Sequence, residues 1–334
     1  MNNKGFKKIL SICLSAAFAL SMVQGMPVQA MTDATMEEYE ELIGTYSIDA
    51  SVLGYNEYIA SYPADYPEKE IVISAADFVR YEDGGEAVAP VTYDDYENVP
   101  GGGKSVYTSE EALIEYEFTV EESGFYDISL LYYPIEGKNS EIQRAFFIDG
   151  ELPYGELSLI EFNRVWTNSV SELVTDENGI TVKNWEKDNQ GNDVKPGTME
   201  IHEWVVIYLY DSNGYIVTPL NIYLEKGVHT LSIVSQREPM LLHQIIFNNS
   251  KDVEDYASYK ASMDAQGAKD TTGASIRIEA ETAVKTSSQM LYPRQDQSSP
   301  AVYPSSPKVL LNNTIGGTSW QEAGKWIEWE FEVP

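Results

Sequence analysis

Ile114, Tyr116, Phe118 and Val120 alternate with Glu115, Glu117, Thr119 and Glu121. A period of two puts the apolar side chains on one face and the polar ones on the other, the mark of a half-buried antiparallel strand. A helix would scatter the same residues around its circumference. Glu122-Ser123-Gly124 then turns the chain into a second apolar run, Tyr126 to Tyr133, and later runs are bounded by Asp149-Gly150, Asp211-Ser212-Asn213-Gly214 and Glu225-Lys226-Gly227. These are turn-forming sequences. Short strands, regular turns and little helix predict an all-β chain built as a β-sandwich or jelly roll.

The pattern returns near the C-terminus. Lys325-Trp326-Ile327-Glu328-Trp329-Glu330-Phe331-Glu332-Val333 matches Ala112 to Val120 position by position, and Ile278-Glu279-Ala280-Glu281 resembles Ile73-Ser74-Ala75-Ala76. Two landmarks in the same order define an internal repeat of one architecture. We therefore expect a first module over residues 70–250 and the first part of a similar one over 275–334. Residues 251–274 form a linker, in which Val253, Tyr256, Tyr259 and Met263 have helical spacing before the polar stretch Gly267 to Gly273. Residues 31–69 read as a lead segment with a capping box at Thr35-Met36-Glu37-Glu38 and a short helix to about Ile43; Pro63 and Pro67 end any helix there. Within the first module Glu172 to Gly197, rich in Asp, Asn and Gly, reads as a long surface loop. The second copy ends one residue past its matching strand, at Pro334, so Ile327, Trp329 and Phe331 lack strands to cover them. The expectation is that the natural chain continues, and that residues 275–334 fold poorly alone.

Residues 1–30 have the make-up of a secretion signal: Lys4, Lys7 and Lys8, an apolar run from Ile9 to Val23, and Val28-Gln29-Ala30 as a cleavage site. The run is too short to span a bilayer. Cys13, the single cysteine, lies within it and is preceded by Ile12, which does not fit a lipoprotein signal. The mature chain then has no cysteine, and its stability must come from core burial despite an oxidising destination. The 53 acidic residues against 22 basic ones repel phosphate backbones and anionic lipid, which argues against nucleic acid and membrane partners. No catalytic signature stands up. A Gly-x-Ser-x-Gly elbow is absent. Gly103-Lys104-Ser105 lacks the upstream glycine of a phosphate loop and precedes a strand, not a helix. His202, His229 and His243 have no ligand spacing. The chain reads as one that binds and does not catalyse.

Ile278-Glu279-Ala280-Glu281 followed by Gly324 to Phe331 resembles the start of family 6/35-type carbohydrate-binding modules, which are galactose-binding-like jelly rolls. The resemblance implies a structural Ca²⁺ held partly by Glu279 and Glu281. Its later acidic ligand would come from a final strand that this chain does not contain, and Ser74 and Ala76 leave the first module without the pair. Gln143-Arg144, Ile148 to Pro153, Arg164-Val165-Trp166, Gly191 to Pro196, Gly214-Tyr215 and Arg237-Glu238-Pro239-Met240 give residues 55–250 a texture similar to the N-terminal region of extracellular solute-binding proteins of Gram-positive bacteria. That implies a secreted or cell-surface protein serving a sugar ABC importer, although such proteins are usually lipid-anchored and this chain has no lipobox.

With 23 Tyr and 6 Trp, the chain is rich in flat rings that suit both half-exposed strand faces and the C–H faces of sugars. The candidate carbohydrate contacts are Trp320 in Gly316-Gly317-Thr318-Ser319-Trp320, and Tyr292 and Tyr303 in a Pro/Ser-rich loop. In the first module they are Trp166, Trp185 and Tyr215, in or beside loops; Trp166 also suits a core position. The expected ligand is a polysaccharide or oligosaccharide. Two other readings stand beside it: a structural spacer, and the targeting arm of a glycoside hydrolase. Arg144, Arg164 and Arg237, scarce cations in an acidic chain, are expected to pair with internal carboxylates.

Overall fold

The computed structural model describes residues 52–170, 172–175, 180–249, 255–269, 273, 275–296, 302–321 and 324–331. The expected export segment and the helix from Thr35 lie outside the described residues. The fold is an all-β sandwich; among the described residues every strand pair is antiparallel and there are two short α-helices, Tyr55–Ala60 and Tyr256–Ala265. Contacts divide the chain into two compact units: one runs to Arg164 and includes His202–Asn249, and the other combines Val165–Ile201 with Ser250–Pro334.

In the first unit one sheet has the order 205–208, 124–134, 240–248, 104–108, 92–94, with 71–74 also beside 240–248 and 221–224 beside 124–134. The other has the order 86–87, 80–83, 112–120, 227–237, 142–148, 160–162. Both sheets feed one buried cluster that includes Ile114, Tyr116 and Phe118 from one and Phe125, Tyr132 and Phe247 from the other. Phe118 stacks on Phe247 with ring centroids 4.6 Å apart. Each such side chain, fully buried, stabilises by roughly 1.5–3 kcal/mol. The alternation read from Ile114 to Val120 is realised, with the even-numbered residues buried along strand Ala112–Val120. Asp149 and Gly150 both adopt positive φ, 53° and 79°, as the tight turn between strands requires.

The described part of the lead segment, residues 52–69, is not separate from this unit. Tyr55 and Tyr58 join its core, the Tyr223 N–H donates to the Tyr58 hydroxyl at 3.0 Å, and Tyr62 stacks on Tyr223 at 4.4 Å. The boundary expected at residue 70 therefore falls upstream. Arg164 pairs with Glu238 inside the protein at 2.8 Å, as expected. Arg144 does not follow suit: fully buried, it donates to the Gln143 and Arg237 carbonyls and to Thr108 Oγ1.

The second unit corrects the reading of Glu172 to Gly197 as a surface loop of the first module. This stretch contains a hairpin, Leu173–Thr175 with Thr181–Lys183, and belongs to the second unit together with strands Val165–Asn168 and Thr198–Ile201. The sheet runs 198–201, 165–168, 285–286, 327–328. Asp193 shows why composition misled. Its backbone N–H donates to Leu310, its carboxylate accepts from the Asn312 N–H at 2.8 Å, and its carbonyl accepts from Gln295. The polar residues of this stretch thus satisfy buried groups of residues 275–331. Helix Tyr256–Ala265, capped by Asp255, buries none of its residues and falls within the second unit.

The repeat is exact in its hydrogen bonds. Arg80 faces Glu115 and Tyr81 faces Ile114; Lys285 faces Glu328 and Thr286 faces Ile327. The Val79 N–H donates to Glu115 at 2.8 Å and the Val284 N–H to Glu328 at 2.9 Å. The Tyr116 hydroxyl donates to the Ala75 carbonyl at 3.2 Å, and Trp329 Nε1 donates to the Ala280 carbonyl at 3.0 Å. The copies differ in what covers them. Ala112–Val120 lies between two strands, whereas among the described residues of the matching stretch 325–331 only Ile327–Glu328 is strand, and Phe331 is 57% exposed.

Candidate functional site

Strands Pro293–Gln295 and Asn312–Ile315 pair so that Pro293 faces Ile315 and Arg294 faces Thr314. The chain leaves the second strand through Gly316 and Gly317, both at positive φ, into the short helical turn Gly317–Gln321 that carries Trp320. The Gly316 N–H donates to the Tyr292 carbonyl at 3.0 Å, and the Gly316 carbonyl accepts from Arg294 Nη1 at 3.3 Å. A Cβ on Gly316 would lie 2.9 Å from Trp320 Cδ1, so glycine is what lets the indole seat against the turn. Trp320 Nε1 donates to the Ile315 carbonyl at 3.1 Å, which fixes the ring while 40% of the residue stays exposed.

Tyr292 completes the cluster, half-buried, with Lys195 Nζ 3.6 Å from its ring centroid and the Arg294 guanidinium at 5.8 Å. Lys195, Arg294, Tyr292 and Trp320 therefore converge on one Gly-Gly turn, giving an open aromatic surface beside two cations. The tyrosine ring itself is already engaged by the cations. Tyr303 is likewise half-buried and carries Arg277 4.8 Å from its centroid.

Three expected contacts stand elsewhere. Trp166 and Trp185 are buried, at 6% and 7% exposure, and are closed to a ligand. Trp166 sits in strand Val165–Asn168 opposite Thr286. Trp185 misled through its neighbours: Lys183 reads as a surface residue but is itself buried, donating to Asn168 Oδ1 at 3.0 Å and the Ala283 carbonyl at 2.8 Å. Burial pulls its ammonium down to about 8. Tyr215 is 88% exposed, in the first unit, in a turn tied by Asp211.

Glu279 and Glu281 are buried, while Ala280 between them is exposed. Burial pushes the Glu281 carboxyl up to about 7, and the charges of Glu279 and Asp193 add to the effect. Arg277 Nε lies 2.7 Å from Glu279 Oε1, and Asn312 Oδ1 is buried without a hydrogen-bond partner. Buried carboxylates and an unpaired amide oxygen suit a hard cation in kind. Among the described residues, however, no three acidic, histidine or cysteine side chains gather as a metal-holding group.

One contact has the form of a nucleophile and its base: Ser105 Oγ lies 3.0 Å from His243 Nδ1. Ser105 is fully buried in strand Lys104–Thr108, so it is closed to a substrate. Among the described residues, no helix is long and apolar enough to cross a membrane.

No family profile and no curated protein matches the chain. Solved structures do. The Podospora anserina GH26-CBM35 β-(1,4)-mannanase is 13% identical over 56% of this chain and 29% of that one, with a TM-score of 0.31. A family 35 carbohydrate binding module from Clostridium thermocellum is 11% identical over 54% of this chain and 99% of its own, with a TM-score of 0.28. The C-terminal CBM6 of a marine laminarinase from Zobellia galactanivorans is 11% identical over 54% of this chain and 100% of its own, also at 0.28. Likeness at this level assigns no ligand or activity. The resemblance to solute-binding proteins gains no support from these structures.

Proposed function

We propose that the protein binds carbohydrate without transforming it, and that Trp320 is the platform on which a sugar ring rests. The observation that carries this reading is the fixed, exposed indole. Its nitrogen is spent on the Ile315 carbonyl, which leaves the ring for the apolar C–H face of a pyranose, while Arg294 beside the same turn offers donors to hydroxyls. An indole held in one orientation loses little entropy on binding.

Affinity electrophoresis and calorimetry against neutral and acidic polysaccharides test it. Binding by the wild type that W320A weakens by about tenfold or more is the expected result, the size of a central aromatic contact. Equal binding by W320A, with the fold unchanged, removes Trp320 from the site.

Export is part of the same reading, since glycans of this kind lie outside the cell. The protein recovered from culture medium should begin at Met31. Calcium held by Glu279 and Glu281 would brace the turn preceding strand Lys285–Thr286 and is treated as a structural proposal. Delivery of captured sugar to an importer is a further proposal about the surrounding assembly; binding of monosaccharide or short oligosaccharide in preference to polymer would favour it.

A further inference from the structure

The first unit carries an aromatic surface that none of the expected contacts includes. Tyr93 lies on strand Thr92–Asp94 opposite Ser105, and Ser105 bonds His243 within strand Met240–Asn248, where the register shifts between Leu242 and Gln244. Tyr133 lies on strand Gly124–Pro134 opposite Leu241, and Trp204 immediately precedes strand Val205–Tyr208. The residues therefore form a row across one sheet. Their rings touch in sequence: Tyr93 to Tyr96 at 5.2 Å, Tyr96 to Tyr133 at 5.2 Å, Tyr133 to Trp204 at 5.2 Å, and Trp204 to His243 at 5.6 Å. His202 stacks on Tyr133 at 6.3 Å.

Tyr133 and His243 form the buried base, while Tyr93 is 38% exposed and Tyr96, Trp204 and His202 reach the surface. The base and flank spend their polar atoms on holding the array. Trp204 Nε1 donates to the Tyr96 carbonyl at 2.9 Å, the Tyr133 hydroxyl donates to the His202 carbonyl at 3.1 Å, and His202 Nδ1 lies 2.9 Å from the Pro134 carbonyl. The hydroxyls of Tyr93 and Tyr96 have no hydrogen-bond partner among the described residues.

The loop that carries Tyr96 is held in an unfavourable backbone shape. Asp95, Glu97 and Asn98 have φ of 47°, 45° and 53°, a left-handed conformation that side chains other than glycine rarely adopt. The Asp95 N–H donates to the Gly103 carbonyl at 2.9 Å, and Asp95 Oδ1 accepts from the Gly103 N–H at 2.6 Å, closing the loop over the sheet. Such strain persists where the surroundings fix it and collects at binding sites.

Charge selects the ligand. Glu97 and Glu203 stand close enough to Tyr133 to raise its hydroxyl, after burial, to about 12. Burial lowers the His243 imidazole below its ordinary value, against a backbone hydrogen bond at Lys104 and the charge of Asp95, both of which raise it. Lys104 is 3.6 Å from Asp94. A face of rings rimmed by carboxylates repels an anion and presents acceptors to hydroxyl groups.

We propose that this ring-lined face is a second carbohydrate-binding surface, and that it takes an uncharged oligosaccharide or polysaccharide chain. It rests on the reading that the protein binds carbohydrate, but on residues separate from Trp320.

The test uses the full chain in a W320A background, so that binding which persists reports on this face. Probes are galactomannan, laminarin and xyloglucan as neutral polymers, polygalacturonate as an acidic one, and a Pro-rich apolar peptide. The expected result is that W320A binds at least one neutral polymer and that adding Y93A/Y96A weakens this by about tenfold or more, while Y93F/Y96F, which keeps the rings, retains most of it. Circular dichroism and melting temperature confirm that each variant is folded; should Y93A/Y96A unfold, Y93A alone takes its place. The proposal is overturned if W320A abolishes all binding, which leaves the Trp320 reading standing. It is also overturned if Y93A/Y96A binds as its parent does, or if only polygalacturonate or the peptide depends on the two tyrosines. Neutral binding lost in Y93A/Y96A and unmoved by W320A alone would sustain this face and remove Trp320.

Discussion

Replacing Glu281 with glutamine isolates the cost of a buried acid. The residue is 1% exposed, and burial pushes its carboxyl up from 4.5 to about 7. Below the unfolded value the group is neutral in both states and carries no penalty. As pH rises through the folded value, the unfolded chain ionises freely while the folded one resists, so stability present in acid is lost. The displacement corresponds to about 3 kcal/mol above pH 8. Glutamine has the same shape and no proton to lose. With a chelator present, Glu281→Gln should therefore match the wild type near pH 4.5 and exceed it by about 2–3 kcal/mol at pH 8, measured by urea unfolding at both values. Calcium reverses the sign if the pair holds it: the ion then stabilises the wild type at pH 8 and leaves the variant unmoved. A variant no more stable than the wild type at pH 8 in chelator would refute the burial argument, and a wild type indifferent to calcium would remove the metal.

Two further outcomes follow from the packing. Glu238 accepts from the Lys138 and Ser140 N–H groups, from Ser140 Oγ and from Arg164, all inside the first unit. Burial works to raise its carboxyl, but those bonds and the Arg164 charge hold it low. Glu238→Ala strands the Arg164 guanidinium and should cost about 3–5 kcal/mol in denaturant unfolding, much of it recovered by Arg164→Met in the same chain. A fragment of residues 275–334 should be digested rapidly by protease, and joining residues 165–201 to it should slow digestion, because Lys183, Asp193 and Thr167 supply its missing partners. Equal digestion of the two would argue against that dependence.

What could be read in advance was whatever rests on short-range pattern. The alternation over Ala112–Val120 gave the strand and its buried face, and the resemblance read from Lys325 onward reappears, among the described residues, in the pairing of Lys285 with Glu328. Trp320 was visible because it follows two glycines. Asp193 and Asn312 were not: they meet across a long separation, and no periodicity records such a bond. Trp185 was misjudged since a lysine two residues away implied solvent. The row from Tyr93 to His243 was invisible for a third reason. Apart from Tyr93 and Tyr96, the rings lie on different stretches of chain, and only the register of five strands aligns them.

The path of the chain has a practical consequence. Val165–Ile201 departs from the first unit and returns to it, while its neighbours lie after residue 250. Cleavage at the linker would thus not yield two intact halves. The upstream product would keep a stretch of protein whose indoles, Trp166 and Trp185, had lost their cover, and would be sticky; the downstream product would be short of strands. Anyone dissecting the molecule by truncation should cut and splice at both crossings, or keep it whole.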